Sequence, residues 1–193
     1  MTIGKTVYAP DREMWWSWLE MHYKDEEEIW LIFYKKSAGK SNVSYNDAVE
    51  EALCFGWVDS KVNKRDEQSY FQYFAQRNPK SNWSRVNKQK VAKLIAEDRM
   101  SEADYAMIEE AKRRGTWDAL NDVENLVIPP DMQAEFDKNP VALQYYEAFP
   151  RSVKRGILEW IFNAKRPATR VKRILQTAEM ANRNERANQY RKK

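Results

Sequence analysis

Apolar residues follow two different periods along this chain, and each change of period marks an element. Residues 6–8 read as a short strand, after which Pro10-Asp11 signals a helix start. Trp15, Trp18, Leu19 and His22 then recur at i, i+3, i+4 and i+7, the stripe of a helix facing a core. Ile29–Tyr34 is apolar on both alternating faces and dense in β-branched and aromatic side chains, as expected of a central strand, near 29–35, covered on both sides. Ser44 and Asp47 form a capping pair for a helix over 45–55, where Tyr45, Ala48, Val49, Ala52 and Leu53 share a face and Gly56 permits a left-handed end. Two β-like runs, 57–63 and 70–75, are joined by the polar stretch Lys64–Gln68, which predicts an antiparallel hairpin with a longer loop.

From Trp83 onward the period is helical. Val91, Leu94 and Ile95 cluster on one helix, and Ser101 with Asp104 opens a second that carries Met107, Ile108 and Ala111 and closes at Gly115. Trp117–Pro130 reads as a loop and the domain boundary. Beyond it come a short helix near 131–137, another after Pro140, and two longer ones. Val153, Ile157, Trp160, Ile161 and Ala164 line the first of these, and Val171, Ile174, Leu175 and Ala178 the second, with Pro167 between. The last ten residues are expected to fray. The predicted class is α+β: a small, mainly antiparallel sheet packed with helices over residues 1–125, containing a candidate pocket, and a helical C-terminal segment over 126–193 packing on it.

Composition narrows the chemistry. A length of 193 residues suits one globular unit with an appendage, and 42% apolar residues with 8 Trp, 10 Tyr and 7 Phe supply a proper core. Five glycines leave little for glycine-lined nucleotide loops, and one Cys with one His cannot build a zinc cluster, a disulfide or an HExxH site. No metal and no cofactor is expected. The N-terminus lacks a basic segment leading into an apolar one, and no apolar run nears the ~20 residues of a membrane helix, so a cytoplasmic protein without membrane insertion is expected. Charge is polarised: residues 151–193 hold 13 Lys/Arg and 3 Asp/Glu, leaving 20 and 26 for residues 1–150.

Gly39-Lys40-Ser41 sits between a strand and a helix as a P-loop would, but Tyr34 occupies the position where the first P-loop glycine belongs, so an ordinary turn is expected. A histidine-based relay would need His22, paired with Cys54; the edge of an apolar stripe and the flanking Leu53 and Phe55 make both read as structural. Strict alternation from Trp57 sends Trp57, Asp59 and Lys61 to one side of the sheet, as a structural ion pair or one wall of a pocket. Downstream, Arg77 and Lys80 stand beside a helix start that Ser81, Asn82 or Ser84 caps, with Trp83 as an apolar wall: an anion site, or a capped turn with solvated basic residues. The helix beginning near 167 carries a basic stripe, Lys165, Arg166, Arg170 and Arg173 among it, suited to nucleic-acid phosphates or to the acidic surface of the same chain.

Trp18-Leu19-Glu20, Trp30-Leu31, the run Ala52–Ser60, Lys80–Ser84, Val86-Asn87, Arg99-Met100, Ala111-Lys112, Gly115–Trp117, Ala164–Arg166, Thr169-Arg170 and Lys172–Ile174 together resemble the YdeI/OmpD-associated family across nearly the whole chain. Asp98 and Asp104 stand where that family has helix-flanking glycines, and Ala75-Gln76 where it more often has Thr-Pro. The resemblance implies protection against bacteriocins and cationic antimicrobial peptides, with no catalytic residues to carry over. The leading expectation is therefore a non-enzymatic binding and stress-protection protein, whose pocket of Trp57, Asp59, Lys61, Arg77, Lys80 and Trp83 takes a small anionic or mixed-charge ligand or a peptide. The alternatives are nucleic-acid association through the 165–173 helix and a hydrolase or transferase using Asp59 as base. Ligand identity and oligomeric state stay open.

Overall fold

Strands β1 (Thr6–Tyr8), β2 (Glu28–Tyr34), β3 (Trp57–Lys64) and β4 (Ser69–Gln76) form one sheet in the order β1-β2-β4-β3. β2 runs parallel to β1 and antiparallel to β4, and β3 and β4 form the expected hairpin, so pairing is mainly antiparallel. The computed structural model describes residues 3–189. It divides the chain into two units, Met1–Asp118 and Ala119–Lys193.

In the first unit, α1 (Arg12–His22) and α2 (Tyr45–Cys54) cover one face of the sheet. Ile29, Leu31 and Phe33 of β2 and Phe74 of β4 point into that layer, where Trp15 meets Phe74 at 5.3 Å between ring centres and donates from Nε1 to the Ala48 carbonyl. Apolar burial of this kind is the main stabilising contribution. Glu51, only 1% exposed, is held by Arg12 and Arg99 together, which offsets the cost of burying its charge. α3 (Arg85–Ala96) starts at Ser84, whose Oγ accepts from the Asn87 amide at 3.2 Å. It stops in a Schellman turn: the Asp98 and Arg99 amides donate to Ile95 and Leu94, and Asp98 itself takes φ 53°. α4 (Glu102–Arg113) begins with the capping box of Ser101 and Asp104.

The second unit is helical: α5 (Asn121–Glu124), α6 (Pro130–Asp137), α7 (Pro140–Ala148), α8 (Arg151–Phe162) and α9 (Pro167–Asn182). Its own core includes Phe136, Tyr146, Ile157, Ile161 and Ala178. The stretch expected to be loop contains α5, too short to leave a periodic signal. The expected fraying is also corrected as far as Ala187, which is buried in this core; residues 190–193 lie outside the described residues. The fold class is α+β with a helical C-terminal region. Among the described residues no helix is long and apolar enough to cross a membrane.

Candidate functional site

The β3–β4 hairpin decides where the expected pocket residues go. Its register pairs Trp57 with Gln76, Val58 with Ala75 and Asp59 with Phe74, then resumes at Val62 with Gln72. Ser60 and Lys61 thus face the single residue Tyr73. This β-bulge breaks the alternation, because one extra residue in a strand turns those after it to the other face. Asp59 stays on the helix-covered side, accepting from Tyr45 Oη at 2.7 Å and Gln72 Nε2 at 3.3 Å. Lys61 is exposed on the opposite side, its Nζ 4.9 Å above the Tyr73 ring. The expectation that Asp59 and Lys61 share a wall is therefore corrected.

Asp59 occupies a shallow groove with Tyr45, Ser60, Val62, Tyr70 and Gln72. Burial, followed by the bond to Asp59, pushes the Tyr45 hydroxyl up to about 12. The groove's lining holds the hydroxyls of Tyr45, Ser60 and Tyr70 beside the Asp59 carboxylate, and neither histidine nor cysteine. Cys54 lies in the core, where burial pushes its thiol up to about 12 and keeps it unreactive.

Trp57, Arg77 and Trp83 do come together, in a different hollow. They line a chamber of about 10 Å³ with Leu53, Gly56, Asp104 and Met107 among its walls. A groove of about 310 Å³ shares Gly56, Arg77, Asp104 and Met107 with it and opens past Tyr23, Lys24 and Phe55. Trp57 is fully buried and donates from Nε1 to the Tyr23 carbonyl at 3.3 Å. The Arg77 amide donates to the Gly56 carbonyl at 2.8 Å, which ties the end of β4 to the turn after α2.

Arg77 is 6% exposed, its guanidinium stacked 3.7 Å above the Trp83 ring and its Nη2 donating to the Asn82 carbonyl at 2.8 Å. Among the described residues its buried Nε has no hydrogen-bond partner. Burial lowers its pKa to about 10. Asp104, 3% exposed, accepts through Oδ2 from the Ser101 amide and hydroxyl, while its buried Oδ1 is left without a partner. Burial raises its carboxyl to about 6 against the opposing Ser101 bonds. Arg77 and Asp104 thus line the same space, each with one buried polar atom left without a partner, and no ion pair joins them among the described residues. Gly56 makes the room: at φ 70° it has no Cβ, and one placed there would lie 2.6 Å from Met107 Cε and 3.4 Å from Asp104 Oδ1.

Lys80 is exposed and lines neither hollow, and Ser84 rather than a free helix start caps α3. The expected anion corner is therefore reduced to Arg77, folded inward beneath Trp83. Asp104 went unrecognised because its capping-box spacing accounts for only one of its oxygens; nothing in the sequence marks the other.

On the C-terminal stripe, Lys165 and Arg166 are exposed. Arg170 grips Asp131 with two bonds of 2.6 and 2.8 Å, and Arg173 donates to the Trp160 carbonyl while lying 4.9 Å over that ring. Two of the four cations are thereby engaged within their own unit. Gly39 adopts φ 63° after a 3-10 turn over Lys36–Ala38, the ordinary turn expected there.

Residues 7–107 match the model of a domain of unknown function (DUF8412), and residues 125–184 match the model described as bacteriocin-protection, YdeI or OmpD-associated. The runs Ala52–Ser60 and Lys80–Ser84 lie in the first of these segments. No curated protein and no solved structure matches the chain.

Proposed function

We propose that this chain, whose residues 125–184 match the model described as bacteriocin-protection, YdeI or OmpD-associated, is a non-enzymatic stress-protection protein that binds an anionic or mixed-charge ligand in its N-terminal unit. The observation that carries this reading is the unpartnered Arg77 Nε, buried against Trp83 in the chamber it shares with Trp57 and Asp104. A buried guanidinium with a spare donor is costly unless something accepts from it, and the adjoining groove of about 310 Å³, which Arg77 and Asp104 also line, has the size of a small-ligand site, whereas the chamber behind it has not. A cytoplasmic site of action belongs to the same proposal and is checked by cell fractionation.

Thermal-shift screening against anionic and zwitterionic metabolites tests it. Arg77→Lys keeps the charge but loses the planar fork, so the ligand-induced shift is expected to disappear while the circular-dichroism spectrum is retained. An equal shift in the variant, or no shift by any compound, rejects the site. In cells, the same substitution is expected to reduce survival under cationic antimicrobial peptide.

A further inference from the structure

The face of the sheet turned away from α1 and α2 carries its own chemistry. Register places Trp30 of β2 beside Tyr73 of β4, Ile32 beside Phe71, and Tyr8 of β1 beside Ile32, all on this side. Trp30 is 4% exposed yet belongs to neither core cluster. Its neighbours on this face bury it: Tyr73 at 5.0 Å and Phe71 at 6.1 Å between ring centres, both half-buried. Tyr34 extends the aromatic surface, packed edge-on against Tyr8 at 5.3 Å.

Cations sit over these rings. Lys61, brought here by the bulge, lies over Tyr73; Lys40 lies 4.4 Å over Tyr34; and Arg65 stands 5.8 Å from the Tyr34 ring and 5.9 Å from that of Phe71. Lys40 and Lys61 are exposed and make no ion pair among the described residues. The acidic groups nearby are occupied, Glu28 accepting from the Tyr73 hydroxyl and Asp66 lying 3.8 Å from Arg65. The bond from Arg65, with help from Lys40, lowers the Tyr34 pKa, a sign of positive potential at this surface.

We propose that this open sheet face binds single-stranded nucleic acid, its bases stacking on Tyr73, Phe71 and Tyr34 and its phosphates taken by Lys40, Lys61 and Arg65. Aromatic rings interleaved with cations meet the two features every single strand offers, flat bases and a charged backbone. Three strand-to-strand spacings make the sheet about 14 Å wide, room for two or three nucleotides. Long lysine side chains resting on rings can swing to phosphates as bases take their place. The site is distinct from the Arg77 chamber and stands or falls independently of it.

Fluorescence anisotropy with labelled oligouridine and oligothymidine of about a dozen nucleotides, at about 50 and 200 mM salt, tests the proposal. Binding is expected to weaken steeply with salt and to fall about tenfold or more in the double variant Lys40→Glu/Lys61→Glu, whose exposed positions leave the fold intact. Tyr73→Leu, which keeps apolar bulk over Trp30 while removing the stacking ring, is expected to weaken it about fivefold or more. Preference for oligouridine identifies RNA as the source, and equal affinity a strand of either sugar. Absence of saturable binding at low salt overturns the proposal. So does binding untouched by the Lys40/Lys61 reversal, competition by polyglutamate equal to that by unlabelled oligonucleotide, or loss only on reversal of Lys165 and Arg166 in the other unit.

Discussion

Asp98 occupies a left-handed position, φ 53°, that glycine fills without steric cost, and its Schellman bonds hold it there. Asp98→Gly is expected to raise stability by up to about 1 kcal/mol, read as a higher urea midpoint with unchanged slope. Asp104 is a different case, an acid whose burial costs more than its cap recovers. Because its carboxyl is raised to about 6 in the folded chain, folding favours the protonated form. That contribution is fully present below the ordinary carboxylate value and is lost as pH climbs through about 6. Asp104→Asn keeps an acceptor for Ser101 and has no charge to bury, so the decline in stability between about pH 4 and 7, at most about 3 kcal/mol, is expected to flatten. An unchanged pH profile in urea titrations would reject this account. The Ser101–Asp104 spacing is readable in the chain, yet only the packing of Met107 and Gly56 around Asp104 reveals that half of the carboxylate is unused.

Among elements, those with a sustained period were legible: the α1 stripe, the two-sided apolar β2 and the hairpin all form where the pattern puts them, within a residue or two. The bulge was not, since one additional residue in a strand leaves no mark in composition, and alternation counted from Trp57 then misplaces Lys61. Deleting Lys61 restores one-to-one pairing and sets Ser60 opposite Tyr73; the hairpin is expected to stay folded, while oligonucleotide affinity drops as far as in Lys61→Ala, which removes the same single charge. Between α6 and α9, the Asp131–Arg170 pair is partly exposed on both sides. Arg170→Glu is therefore expected to cost no more than about 1 kcal/mol in thermal unfolding, and less in high salt. A stripe that resembles a phosphate-binding surface in one dimension thus contributes partly to the internal bracing of a helical unit.

For the whole molecule, two separate apolar clusters mean two sources of cooperativity. Residues 119–193 expressed alone are expected to unfold in a single transition, and Ile157→Ala, at a fully buried site, to lower the stability of that fragment by about 2–5 kcal/mol. A non-cooperative melt would show that this core is insufficient by itself. By sequence alone, the chain determines its class, the identity of its strands and longer helices, and the residues that cap them, because periodicity and capping are local properties carried within a few positions. What tertiary structure decided is which side chains meet. Arg77 turns under Trp83 to face Asp104, 27 positions away, and Lys61 leaves Asp59 for the aromatic face. Those meetings depend on strand register, on a bulge and on the space left by a missing Cβ, all set by packing between distant segments and therefore absent from any local pattern.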